Sequence, residues 1–91
     1  MELKQLQYFA ASVECGSFKR AAEKLYTTQP NVSKTIKALE NELQVRLLDR
    51  RAHGVVLTRA GEEVYRYTCA MMPYMDKIRA VAETAEKEAV L

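Results

Sequence analysis

Histidine occurs once in this chain, at position 53, and cysteine twice, at positions 15 and 69. These three are too few and too scattered for a metal-finger spacing, so no metal site is expected. Only three glycines are present, and they form no phosphate-cradling loop of the nucleotide-binding kind. No nucleophile is paired with a base, and the chain is too short to enclose a substrate pocket. An enzyme is therefore not expected, nor a cofactor in this segment. No apolar run approaches the roughly 20 residues that span a bilayer. The opening stretch "MELKQLQYF" lacks the basic and long apolar regions of a signal peptide. A cytoplasmic protein with no membrane contact is the expectation.

What is there suits one small globular domain: 91 residues, 48% of them hydrophobic and 29% charged. The net charge is only +2, but it is unevenly distributed. Residues 19–59 contain nine bases against four acids, a balance of +5. Residues 62–91 contain four bases against six acids, a balance of −2. A basic middle ahead of an acidic tail points to an anionic partner for the middle alone.

Leu3, Leu6, Phe9, Ala10 and Val13 recur at helical steps and define a first helix with one buried stripe. Gly16 ends it and Ser17 can cap the next. That second helix, "FKRAAEKLY", buries Phe18, Ala21, Ala22 and Leu25, and its paired alanines allow a neighbouring helix to come close. After a tight turn, Thr28 caps a third helix with Pro30 in its first turn. Val32, Ile36, Leu39 and Leu43 form its inner stripe. The period then changes: two short β-prone runs, Arg46–Leu48 and Val55–Leu57, flank a polar segment, with Gly54 supplying a hairpin turn and Arg50, Arg51 and His53 at its tip. The hairpin must lean on the helices through Leu47, Leu48 and Leu57. Thr58 caps a long last helix, which Pro73 interrupts.

The third helix has an unusual outer face. Pro30, Asn31, Ser33, Lys34, Thr35 and Lys37 are short or basic, and no acid appears before Glu40. An α-helix fits the major groove of B-DNA, where side chains near its N-terminus meet base edges. Residues pointing there must permit close approach, carry donors and acceptors, and avoid a carboxylate that phosphates would repel. Thr28 and the helix N-terminus also offer N–H groups suited to a phosphate. Helix, helix, tight turn, helix and hairpin make a mainly α fold: a winged helix-turn-helix of three helices plus a two-stranded wing, followed by a long helix.

The stretch "SFKRAAEKLYTTQPNVSKTIKALENELQVRLLDR", followed by "GVVLTRAG", resembles the N-terminal domain of the LysR-type transcriptional regulators. The set Ala21-Ala22, Gln29-Pro30, Val32-Ser33, Leu39-Glu40, Leu43, Leu47, Arg50, Gly54, Leu57-Thr58 and Gly61 carries the resemblance. It implies a DNA-binding domain over residues 1–58, with the helix-turn-helix at about 18–37 and the wing at about 46–57, and a linker and dimerisation helix over 59–91. It further implies a recognition helix at 28–43. There Gln29, Pro30, Asn31 and Lys34 would face bases, with Ser33 and Lys37 near phosphates. Thr28, Arg50 and Arg51 complete the expected phosphate contacts, and His53 would enter the minor groove. Four positions depart from the family pattern: His53 stands for an arginine, Thr27 for an aliphatic residue and Val56 for a polar one, while Pro73 falls inside the linker helix. Family members are several times longer, with a C-terminal domain that binds a small effector and has no counterpart in these residues.

Positions 64, 68, 71, 75, 78, 82, 85 and 89 alternate steps of four and three, a heptad seam. The first 57 residues are expected to be too few to cover it, so Val64, Met71, Met75, Ile78, Ala82 and Ala85, with Thr68 and Ala89, should meet a second copy. The resemblance implies antiparallel pairing. Two-fold symmetry would then match the homodimer to an inverted repeat in double-stranded DNA. The competing expectation is a winged helix used only for protein–protein contact, which has no need of an acid-free basic face.

Overall fold

The computed structural model describes residues 1–90, with side chains through Glu88; the side chain of Ala89, the last seam position, lies outside the described residues. The order is α1 (Leu3–Cys15), α2 (Phe18–Lys24), α3 (Gln29–Leu43), β1 (Leu48–Arg51), β2 (Gly54–Leu57) and α4 (Arg59–Val90). Four helix boundaries have a clear local cause. Gly16 closes α1 in the left-handed region, at φ 70°, and its N–H reaches the Ser12 carbonyl at 3.0 Å. Ser17 Oγ accepts the Arg20 N–H at 3.0 Å, Thr28 Oγ1 accepts that of Asn31 at 3.2 Å, and Thr58 Oγ1 accepts that of Gly61 at 2.9 Å. The turn before α3 holds Tyr26 at φ 55°, with its side chain almost fully exposed.

The three short helices enclose one core. Phe9, Ala21, Val32, Leu39 and Leu47 are fully buried, and Ile36 nearly so. Ala21 and Ala22 lie where α2 meets its neighbours, and their small side chains permit that approach. Leu25 is only half-buried, and Leu43, expected on the inner stripe, is exposed. Leu43 is the last residue of α3; Gln44 turns the chain left-handed at φ 57° immediately after it, so the side chain overshoots the core.

The hairpin differs from its expected bounds. β1 runs Leu48–Arg51 rather than Arg46–Leu48, paired antiparallel with β2 in the register Leu48↔Leu57 through Arg51↔Gly54. Arg50 and Arg51 therefore belong to the strand, and the tip is Ala52-His53 alone. The cause is a side chain from α3. The Glu40 carboxylate accepts the N–H groups of Leu47, at 2.6 Å, and Leu48, at 3.2 Å. Gly54 is the first residue of β2, not the turn itself. Its φ is 132°, and a Cβ there would come within 2.1 Å of the Gly16 carbonyl oxygen. Glycine at this position lets the wing lie against the α1–α2 junction, where Val55 N–H bonds that same oxygen at 3.0 Å.

The single seam expected along α4 divides in two. Val64, Tyr65, Met71 and Met72 pack against the core, Thr68 is buried, and Gln7 Nε2 reaches Met75 Sδ at 3.9 Å. Val64, Met71 and Met75 are thus at least half covered within the protomer, because the first turns of α4 lie along α1. Beyond them a second stripe stays open: Tyr67, Tyr74, Ile78 and Val81 are 60–69% exposed. At about 100° per residue, this stripe lies roughly 100° around the helix from the covered one. The expected seam runs between the two. Ile78, Ala82 and Ala85 are exposed. Pro73 does not end α4; it projects from the side away from both stripes, so the carbonyl it leaves unpaired, that of Cys69, faces solvent. The whole molecule measures 56 × 25 × 19 Å, with α4 extending beyond the helical core.

Candidate nucleic-acid interface

α3 presents Gln29, Pro30, Lys34 and Lys37 to solvent, with Asn31 and Ser33 half-buried beside them. Glu40, the first acid along this helix, turns inward to the Leu47 and Leu48 N–H groups. The exposed face ahead of it carries no negative charge. Asn31 is less free than its position in the sequence implies: its Nδ2 donates to Thr27 Oγ1 at 2.8 Å. Thr27, a departure from the family pattern, thereby orients the amide. One N–H and the carbonyl oxygen of Asn31 remain for an adenine edge. Thr28 spends an oxygen lone pair on its cap, yet its hydroxyl can still donate to a phosphate.

Two hollows lie beside α3, one along its middle and C-terminal half and one at its start. One, a groove of about 700 Å³ between α3 and β1, is lined by Ser33, Lys37, Asn41, Arg46 and Arg50 among others. The other, about 320 Å³, gathers Lys19 from α2, Gln29 from α3, and Arg50 and Arg51 from β1. Arg50 borders both. Ser33, Lys37 and Arg50 thus share one groove, while Arg51 lies with Gln29 in the other. His53 is exposed at the wing tip, and neither hollow includes it.

Three acids of this region are already engaged. Asp49 pairs with Arg46 at 3.4 Å, Glu42 with the Met1 ammonium at 2.6 Å, and Glu14 with Lys24 at 2.9 Å. Lys19, Arg20, Lys34, Lys37, Arg50 and Arg51 have no ion-pair partner among the described residues. Unneutralised cations from three separate elements, set around a helix end free of carboxylates, form a surface for a polyanion of fixed shape. In the sequence Lys19 reads only as a solvated position on α2. Its one signal there is its place next to Phe18 at the start of that helix.

A recognition helix, a tight turn and a basic two-stranded wing define a winged helix-turn-helix. Residues 3–62 match the family described as bacterial regulatory helix-turn-helix protein, lysR family, and the chain belongs to that family. A relative in Azotobacter vinelandii, described as an uncharacterized HTH-type transcriptional regulator in the ibpB-leuC intergenic region, is 45% identical over 87 residues; the match covers 96% of this chain and 56% of its own. The HTH-type transcriptional regulator BenM of Acinetobacter baylyi is 41% identical over 78 residues, which covers 86% of this chain and 26% of that protein. Among solved structures, the BenM DBD in complex with benA site 1 DNA superposes with a TM-score of 0.87 at 38% identity, covering 93% of this chain and 99% of that one. The CbnR DBD–DNA complex gives 0.86 at 32% identity, covering 94% and 99%. The chain thus spans about half the length of the Azotobacter relative and about a quarter of BenM. No helix among the described residues is long and apolar enough to cross a membrane.

Proposed function

We propose that this chain is the DNA-binding part of a cytoplasmic transcriptional regulator, which reads an inverted repeat in double-stranded DNA as a homodimer. The observation that carries the reading is the acid-free start of α3 bracketed by unpaired cations from α2 and the wing. The solved DNA complexes of BenM and CbnR support it, since their chains superpose on nearly all of this one. In this reading Gln29, Pro30, Asn31 and Lys34 meet base edges, and Thr28, Ser33, Lys37, Arg50 and Arg51 meet phosphates, joined by Lys19. His53 reaches toward the minor groove. A small effector would bind outside these 91 residues, in the further length that the relatives have. Selecting bound sequences from a random duplex pool tests the whole reading. Enrichment of an inverted repeat is expected; a pool that stays random after selection would sink it.

Lys34 is the strongest base-reading position, because it is exposed near the start of α3 and can donate to guanine O6 and N7. Lys34→Ala should weaken the selected site by about 1–3 kcal/mol and relax one base preference. Equal losses on selected and random duplex, measured by titration, would reduce Lys34 to a phosphate contact.

For the dimer, the open stripe of Tyr67, Tyr74, Ile78 and Val81 supports pairing, with the two α4 helices antiparallel. Ala82 and Ala85 would let the backbones approach. Ile78 contributes little within the protomer, being 69% exposed. Ile78→Asp should therefore leave the melting temperature of the monomeric form unchanged while raising the dimer dissociation constant at least about tenfold. Sedimentation equilibrium measures this, and a parent protein that is monomeric at high micromolar concentration would refute the pairing.

A further inference from the structure

Arg50 borders both hollows of the basic face, and Phe18 is the one other residue that lines both. Arg50 projects from a two-stranded hairpin into solvent, where a long side chain ordinarily samples many rotamers. Neither nearby acid restrains it: Asp49 is bonded to Arg46, and Glu42 to the chain terminus. Its guanidinium instead lies over the ring of Phe18, 4.8 Å from the centroid. Phe18 is buried at the start of α2 as part of the core, so the ring is a fixed platform. A guanidinium held by its face keeps its N–H edges free, and those edges bond phosphate oxygens in a forked geometry.

We propose that Phe18 is a positioning residue for DNA binding: its ring holds the Arg50 guanidinium on the ridge between the two hollows, so that Arg50 meets the phosphate backbone without first being ordered. The proposal rests on the DNA-binding reading above. It assigns a role at the interface to an aromatic that also belongs to the core. It also separates Arg50 from Lys34 and Lys37, for which no aromatic platform exists among the described residues.

A double-mutant cycle tests it, using the 91-residue chain and both a selected and a random duplex across a salt series. Phe18→Leu keeps an apolar side chain at the site but removes the ring. It should weaken both duplexes alike by about threefold to tenfold, the range a cation–π contact supports. In an Arg50→Ala background the same substitution should have no further effect. An equal loss in both backgrounds would show that the ring acts only through the fold, and would overturn the proposal. Arg50→Lys approaches the question without touching the core. It retains the charge, so the salt slope should match the parent, while affinity should fall several-fold because an ammonium lacks the planar fork. A lysine variant that binds as tightly as the parent would equally overturn it. A parent chain that binds no duplex at all would instead sink the DNA reading itself.

Discussion

Gly61→Ala is expected to lower stability by about 3 kcal/mol, although it places the best helix former in the first turn of a helix. Intrinsic propensity alone favours alanine by about 1 kcal/mol. Against that gain stands a backbone collision. A Cβ at residue 61 would lie 2.0 Å from the Leu47 carbonyl oxygen and 2.9 Å from its carbon. Leu47 cannot retreat easily, since it is fully buried and its amide is bonded to Glu40, while its carbonyl accepts the Thr58 N–H at 3.0 Å. Either α4 tilts off the wing or Leu47 leaves its site, and overpacking of this kind costs about 1–3 kcal/mol or more. For a domain of this size the midpoint of thermal unfolding should drop by more than about 10 °C. Circular dichroism melting of parent and variant measures it. A midpoint equal to or above the parent's would mean that propensity wins and that the close approach is not needed.

Glu40→Ala should have a comparable effect on stability and a more informative one on binding. The carboxylate satisfies two N–H groups, of Leu47 and Leu48, in residues that are themselves buried. Removing it leaves both without a partner, at about 1–3 kcal/mol each. Simple electrostatics makes the opposite forecast for DNA, because deleting an acid takes the net charge from +2 to +3. Yet the bond ties α3 to β1, the two elements that carry Gln29, Lys34 and Arg50. Loosening it should weaken DNA binding several-fold despite the added positive charge. Glu40→Gln, whose amide oxygen can still accept, should retain most of the stability. Tighter binding by folded Glu40→Ala would show that charge outweighs the tie.

The features legible in the sequence were those with local causes. Gly16, Ser17, Thr28 and Thr58 each act on a backbone group within four residues, so their spacing alone places the helix ends. The acid-free face of α3 was equally plain, because helical spacing fixes which side chains share it. What escaped depends on encounters between distant residues. The start of β1 shifted because a carboxylate seven residues away takes the Leu47 amide. Leu43 has the spacing of a core residue, but the helix ends beneath it. On helical spacing alone the seam on α4 is single, because its positions run between the covered and the open stripe; only the packing of α1 separates the two. Lys19 and the Phe18–Arg50 stack left no periodic mark at all.

The elongated outline of the molecule, 56 Å along its greatest extent, sets its charges apart in space. The surplus of +5 lies in residues 19–59 and the deficit of −2 in 62–91, so each protomer is an electric dipole pointing down its own long axis. A dipole in the field of a nucleic acid feels a torque as well as a pull, and turns its positive end forward before any contact forms. In the proposed antiparallel pair the two dipoles oppose one another and cancel, leaving a positive–negative–positive arrangement with an acidic waist. With screening over about 8 Å at physiological salt, a nearby duplex responds to whichever part is closest. The ends would be drawn in and the waist held off, so the pair would settle with both heads on the duplex and the paired α4 helices facing away from it.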